Sequence, residues 1–279
     1  MIDLQHATGD AIREYSRIGE LDKSTAGLAL GYVQANLVIV PQKYAFDFLL
    51  FCQRNPKPCP LLEVTEAGSY CPKRTAPDAD LRTDLPRYRI YRDGELIDEP
   101  QDIESLWQPD FVSFLLGCSF TFENALQRAG IPVRHVDTGC NVPMYRTNLA
   151  CQPNETFQGN MVVSMRPLTA SQTIRATEIC SQYPLAHGAP VHFGNPAAIG
   201  IPDLTRPDYG DAVEIYPDEI PVFWACGVTP QWVAQQAKLP LLITHKPGYM
   251  FVTDLRDDDL RSGMNPSMPP VSQREIIVD

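Results

Sequence analysis

Phe111–Gly130, FVSFLLGCSFTFENALQRAG, and Pro221–Lys238, PVFWACGVTPQWVAQQAK, are two versions of one pattern. Each is an apolar run, a small residue, a Cys, two residues, a Thr and a helix-like segment. Laid on each other, Cys118 meets Cys226, Thr121 meets Thr229, Glu123 meets Gln231 and Pro132 meets Pro240, at one constant offset. An apolar run of this kind reads as a buried strand. Thr229 followed by Pro230 reads as a helix start, with the Thr oxygen as cap and Pro in the first turn; Thr121 is expected to cap in the same way. Each Cys is thereby set between a strand end and a helix N-terminus, where free N–H groups and the helix dipole favour anions and the thiolate. Two such sites could hold the two carboxylates of a dicarboxylic acid, or put a thiol on each face of one carbon. The alternative is two ordinary strand–helix units with Cys in the core.

The chain has 279 residues, 44% hydrophobic and 20% charged, the composition of an ordinary globular protein with room for two domains. A net charge of −11 argues against nucleic-acid or anionic-membrane partners, though a local pocket can still be positive. No apolar run is long enough to span a bilayer, and the N-terminal MIDLQHATGDAIREY lacks a signal-peptide core. The eight Cys show no CxxC pairing and read as reduced thiols of an intracellular, cytoplasmic protein.

Along the chain, Thr8 is expected to cap a helix over 9–18, and Val33–Val40 reads as a buried strand whose Gln34 and Asn36 either stitch backbone or face a pocket. A helix follows Pro41, with Ala45, Phe48, Leu49 and Cys52 on its inner face. Asp93-Gly94 within Tyr88–Ile97 predicts a hairpin. Val133–Val136, Asn160–Arg166, Ala212–Tyr216, Leu241–Thr244 and Tyr249–Thr253 are expected strands, Asn141–Asn148 a loop, and Thr169–Tyr183 a helix. Arg256–Asp279 reads as a surface strap or a disordered tail. The repeat and the change of texture between its copies predict an α/β fold in two subdomains. Residues 1–130 and 220–279 would form a discontinuous α/β domain holding both Cys units in its sheet, and 131–219 a smaller inserted α+β domain.

There is no GxGxxG, P-loop or HExxH, so no nucleotide cofactor is supported, and His187, His192 and Asp211 make only a weak metal pattern. The polar constellation that remains is metal-free and needs no cofactor. Cys118, Glu123, His187, Cys226 and His245 are its candidate catalytic groups; the histidines suit acid–base work near neutral pH. Asn36, Arg82, Ser119, Asn141, Tyr145, Arg166 and Thr229 are candidate substrate ligands, the arginines as carboxylate forks. The expected partner is a small acidic molecule; a homodimer is the default oligomer.

The strings GYVQANLVIVP, DFLLFCQRNPKPCPLLEVTE, FLLGCSFTFENAL, NVPMYRTN, MVVSMRP, HGAPVHFG and VFWACGVTPQ resemble the hydro-lyase family also called the D-glutamate cyclase family, from about Tyr15 to Leu255. The resemblance implies two α/β-type subdomains and loss of water from a small acidic amino acid, foremost D-glutamate to 5-oxo-D-proline. It also admits a mitochondrial matrix location, since an animal member resides there. Two positions depart from the family pattern: Tyr249 stands where HxPGHMF has its second His, and Cys140 where a basic residue precedes NVPMY. Two other readings stay open: a cofactor-independent racemase-like enzyme with two Cys as proton shuttles, and a binding protein that only captures a small acid.

Overall fold

The computed structural model describes residues 3–262. In chain order the elements are α1 Gly9–Arg17, β1 Tyr32–Pro41, α2 Gln42–Arg54, β2 Leu61–Val64, β3 Tyr88–Arg92, β4 Glu95–Asp98, β5 Phe111–Gly117, α3 Phe120–Arg128 and α4 Arg134–Asp137. Then come β6 Met144–Ala150, β7 Asn160–Thr169, α5 Ala170–Cys180, β8 His192–Phe193, β9 Glu219–Ala225, α6 Val228–Gln236, β10 Leu242–His245 and β11 Phe251–Arg256. This is a mixed α/β fold with two antiparallel sheets. A seven-stranded sheet runs β2-β5-β1-β10-β3-β4 with β11 also on β1; a four-stranded sheet runs β6-β7-β9-β8.

The internal repeat is deeper than the two Cys segments. β1 and β7 are both ten-residue strands that pass directly into a helix, and each pairs antiparallel with the strand that ends at a Cys. The residue before the Cys lies opposite Ala35 in one pair (Gly117) and opposite Val163 in the other (Ala225). After each Cys helix the chain crosses over. The strand following α3, β6, joins β7, whereas β10 and β11, following α6, return to β1. The halves therefore interlock, and one apolar core takes Leu115, Phe122, Ile243, Leu168 and Trp224 from both.

This pairing corrects the expectation that both Cys units share a sheet: β9 lies in the four-stranded sheet, beside β7. Local chemistry explains other elements. Thr8 Oγ1 accepts from Ala11 N and caps α1. Thr169 and Gln172 form a capping box at the start of α5. Asp93 and Gly94 both have positive φ, the geometry of a tight hairpin turn. Val133–Val136, expected as a strand, enters the short helix α4; four residues are too few for periodicity to decide. The expected loop at Asn141–Asn148 contains most of β6, whose exposed Arg146 and Asn148 alternate with buried Tyr145 and Thr147. Ala212–Tyr216 forms no strand. On α2 the inner face is Phe48, Phe51 and Cys52, with Leu49 half-exposed, and Ile174 of α5 is exposed. Most of the C-terminal tail lies outside the described residues.

Neither Thr121 nor Thr229 is a cap. The cap positions are Ser119 and Gly227, neither with a side-chain cap bond, and Thr229 instead exchanges hydrogen bonds with Val162 N (3.0 Å) and O (3.1 Å). The small residues beside the Cys have steric reasons. A Cβ on Gly117 would lie 1.7 Å from Leu185 O, and one on Gly227 would lie 2.1 Å from Asn36 Nδ2. Asn36 thus sits between the two units, donating to Gly117 O at 3.0 Å while its carboxamide packs on Gly227. Gly117→Ala is expected to lower stability by about 3 kcal/mol through overpacking against backbone. Urea unfolding that leaves the midpoint unchanged would refute this contact.

Candidate active site

At the meeting of the two halves lies a buried ion pair. Arg166, on β7, donates to Glu123 Oε1 of α3 through Nε at 3.0 Å and also through Nη2. Its Nη1 reaches Ser164 Oγ at 3.0 Å and its Nη2 reaches Ser119 Oγ at 2.9 Å, while Phe122 and Trp224 lie 5.2 Å from the guanidinium carbon. His135 of α4 places Nε2 3.3 Å from the same Glu123 oxygen. Burial pushes against ionisation of Glu123, but Arg166 and then His135 outweigh it and bring the carboxyl down to about 2. The group is a carboxylate across the physiological range, and its charge is balanced by Arg166.

The two Cys flank this pair, and both feel the charges of Arg166 and Glu123. Burial pushes the Cys118 thiol up to about 12 and the Cys226 thiol to about 11. Hydrogen bonds from Phe120 N and Val228 N at the helix starts oppose that rise without reversing it. The expectation of helix-stabilised thiolates is therefore corrected: desolvation wins, and both groups are thiols at neutral pH. Cys226 keeps some exposure, so its shift is the softer of the two.

His187 and His245 are both buried, and burial brings each down to about 4. His187 Nδ1 is 2.9 Å from Lys57 O, and its Nε2 has no partner among the described residues. His245 Nδ1 accepts from Leu37 N at 3.0 Å and faces Gln231 Nε2 at 2.8 Å. The repeat thus gives each half an α-helical side chain against a buried histidine: Glu123 with His135, and Gln231 with His245.

Beside the ion pair opens a cleft of about 750 Å³. His135 and Asn141 line it, together with Lys23, Arg89, Lys246 and Tyr249. Its rim is fastened by Gly248 O, which accepts from Thr25 N (2.9 Å) and Ser24 Oγ (3.0 Å), and Asn141 packs directly against Gly248. Gly-rich Ser24–Tyr32 is thus a loop against the cleft.

The structure brings together Glu123, Arg166, Ser119, Cys118 and Cys226, with Asn141 in the cleft alongside. It does not bring Arg82 there; that side chain pairs with Asp80 (2.6 Å) and stacks on Tyr70 at the surface. Tyr145 is a core residue whose hydroxyl donates to Leu204 O at 2.7 Å. Among the described residues, no three His, Cys, Asp or Glu side chains converge as a metal site. The sequence does not single out His135 or Arg89, whereas Lys246 follows His245 in a loop at a strand end, the edge where ligands collect in α/β sheets. His135 falls inside the expected strand Val133–Val136, and the only sequence signal for it is the polar segment from Cys140 to Tyr145 that follows.

Two outcomes are expected from these burials. Glu123→Gln leaves a buried guanidinium uncompensated and costs about 3–5 kcal/mol, whereas the double change Glu123→Leu with Arg166→Met costs less than either single change; additive costs in urea unfolding would contradict this coupling. Between pH 6.5 and about 4 the unfolded chain binds protons that folded His187 and His245 refuse. Stability is therefore full above 6.5 and declines as pH falls towards 4, by about 3 kcal/mol per histidine, and His187→Gln flattens the decline. Unfolding free energies that stay level through that window would exclude the buried neutral histidines.

A family model described as D-glutamate cyclase matches residues 112–254. A curated relative named "Putative hydro-lyase" from Stutzerimonas stutzeri is 61% identical over 250 residues, covering 90% of this chain and 94% of that protein. Relatives of the same hydro-lyase name from Bacillus licheniformis and Bacillus subtilis are 59% and 57% identical; each match covers 89% of this chain, with 95% and 97% of the relative. Among solved structures, a nitrogen repressor-like protein from Methanococcus jannaschii aligns with TM-score 0.34 and 11% identity over 88% of this chain and 97% of that one, a likeness that bears on neither fold nor activity. Among the described residues no helix is long and apolar enough to cross a membrane. The chain belongs to the D-glutamate cyclase family and is an enzyme of the hydro-lyase type.

Proposed function

We propose that the enzyme removes water from D-glutamate, closing it to 5-oxo-D-proline, in the cleft beside His135. The observation that carries this reading is the floor of the cleft: His135 lines it, with an ionised carboxylate, Glu123, 3.3 Å behind the ring. A histidine backed by a carboxylate is equipped to hold and return a proton. The cations of the wall attract an acidic substrate to a protein whose net charge is −11.

In this mechanism His135 takes a proton from the substrate ammonium. The freed amine lone pair attacks the γ-carboxyl carbon, forming the C–N bond of a five-membered ring. Folding the substrate back supplies the proximity that makes this attack effectively unimolecular. The side-chain amide N–H groups of Asn141 stabilise the tetrahedral oxyanion, its backbone N–H being held by Asp211. Collapse breaks one C–O bond. The two protons that nitrogen loses leave with that oxygen as water, one of them carried by His135. Glu123 balances the imidazolium charge while Arg166 keeps Glu123 ionised; both act through His135 as positioning residues.

Cys118 and Cys226 lie close enough for the charge of one to affect the other, which supports a second reading in which paired thiols exchange the α-hydrogen. Their raised pKa values weigh against it. Purified enzyme incubated with D- and L-glutamate separately, in deuterated solvent, and followed by mass spectrometry separates the two. Expected is 5-oxoproline from the D-form without deuterium at the α-carbon, with His135→Gln at least ~100-fold slower and Cys118→Ser close to wild type. Deuterium at the α-carbon would favour the thiol reading, and absence of product from both isomers would reject the cyclase reading.

A further inference from the structure

The cleft is electrically two-sided. From the seven-stranded sheet and its loops come Lys23, Arg89 and Lys246; from the segment before β9 come Asp208 and Asp211. The cationic side is built. Glu99, which does not line the cleft, accepts Arg89 Nε on one oxygen at 2.7 Å and Lys246 Nζ on the other at 2.8 Å. Lys246 is further fixed by its backbone N–H to Arg87 O at 3.0 Å, continuing the β10–β3 ladder in which Thr244 faces Arg89. One carboxylate thus holds two like charges side by side and leaves a net single positive charge. Because Arg89 uses Nε for Glu99, its Nη groups remain to meet a ligand carboxylate in a planar fork.

The acidic side is fixed as well. Asp211 accepts Asn141 N at 2.9 Å on one oxygen, and Asp208 accepts Arg146 N at 2.8 Å, with Arg146 Nε 3.8 Å from its other oxygen. Asp208 is therefore partly compensated by Arg146, and Asp211 is the stronger negative group facing the cleft. A cleft with one net positive and one net negative side matches a ligand that carries both charges a few bonds apart.

We propose that this cleft selects a zwitterionic amino acid: Arg89 and Lys246, positioned by Glu99, take the α-carboxylate, and Asp211 with Asp208 takes the α-ammonium. This rests on the cyclase reading and deepens it: with the α-carboxylate and α-ammonium each held on its own side, the side-chain carboxylate is the group left to fold back onto the amine that His135 deprotonates. It also defines what the site rejects. A diacid without the amine leaves the acidic side unpaired and repelled, and an amine without the α-carboxylate leaves Arg89 and Lys246 unpaired.

D-Glutamate and glutarate differ only in the amine at one carbon, so they test the acidic side directly. Calorimetric titration of the full chain is expected to show D-glutamate binding at least ~10-fold tighter than glutarate. Asp211→Asn should remove most of that preference while leaving glutarate binding unchanged or improved. Lys246→Met should weaken both ligands about 10-fold. Both positions retain solvent exposure, and thermal unfolding checks that the variants remain folded. Equal binding of the two ligands by the wild type, an intact preference in Asp211→Asn, or no binding of either ligand would overturn the proposal. The cyclase reading fails separately: the binding pattern without 5-oxoproline leaves the zwitterion site standing, and 5-oxoproline without the binding pattern removes the site alone.

Discussion

The contact between Glu123 and Arg166 is the constraint on which the rest of the molecule turns. Its partners are 43 residues apart and come from different sheets, because α3 follows a strand of the seven-stranded sheet while Arg166 belongs to the four-stranded one. Both side chains are almost fully buried, so each alone would be strongly unfavourable. The pair is tolerable only with its hydrogen bonds satisfied, and Ser119 and Ser164 serve that need, with His135 Nε2 3.3 Å from the carboxylate. Such a network is intolerant of slippage. A shift of β7 by one residue against β9 would turn Arg166 to the other face and strand the carboxylate.

Around that pair the chain is built as two interlocked copies of strand–helix and strand–Cys–helix. Each copy lends the strand after its Cys helix to the other's sheet, so neither sheet is completed by its own half. Small residues permit the approach: Gly117 beneath Leu185 O and Gly227 beneath Asn36. The copies have diverged where charge matters. Glu123 carries a charge opposite His135, while Gln231, its counterpart, offers a neutral amide to His245. One half therefore houses a charged carboxylate–histidine contact beside an open cleft, and the other houses a buried, neutral one that holds backbone together.

Magnitudes decide the chemistry of the cysteines. A helix N-terminus favours a nearby anion by about 1 kcal/mol. Complete burial disfavours it by several times as much. The thiols consequently stay protonated although hydrogen bonds from the helix start reach them. Glu123 meets the same burial and goes the other way, because a full positive charge stands in hydrogen-bond contact. The difference between a depressed carboxyl and a raised thiol within one cluster is the difference between an ionic partner and a dipolar one.

The amino-acid sequence by itself determined what depends on near neighbours. Runs of largely apolar residues marked β1 and β7 as buried strands, Asp93-Gly94 marked the hairpin, Thr8 and Thr169 marked helix starts, and the paired Cys segments with their flanking strings marked the family. The tertiary structure alone decided which sheet each repeated strand joins, that Thr229 ties to Val162 instead of capping, and that His135, Arg89 and Lys246 meet Asn141 in one cleft. The reason is range. Dihedral preference and periodicity act over a few residues and leave their signature in the string. Strand pairing, desolvation and ion pairing act between residues tens to hundreds of positions apart, and their sign is fixed only when the chain has closed around them.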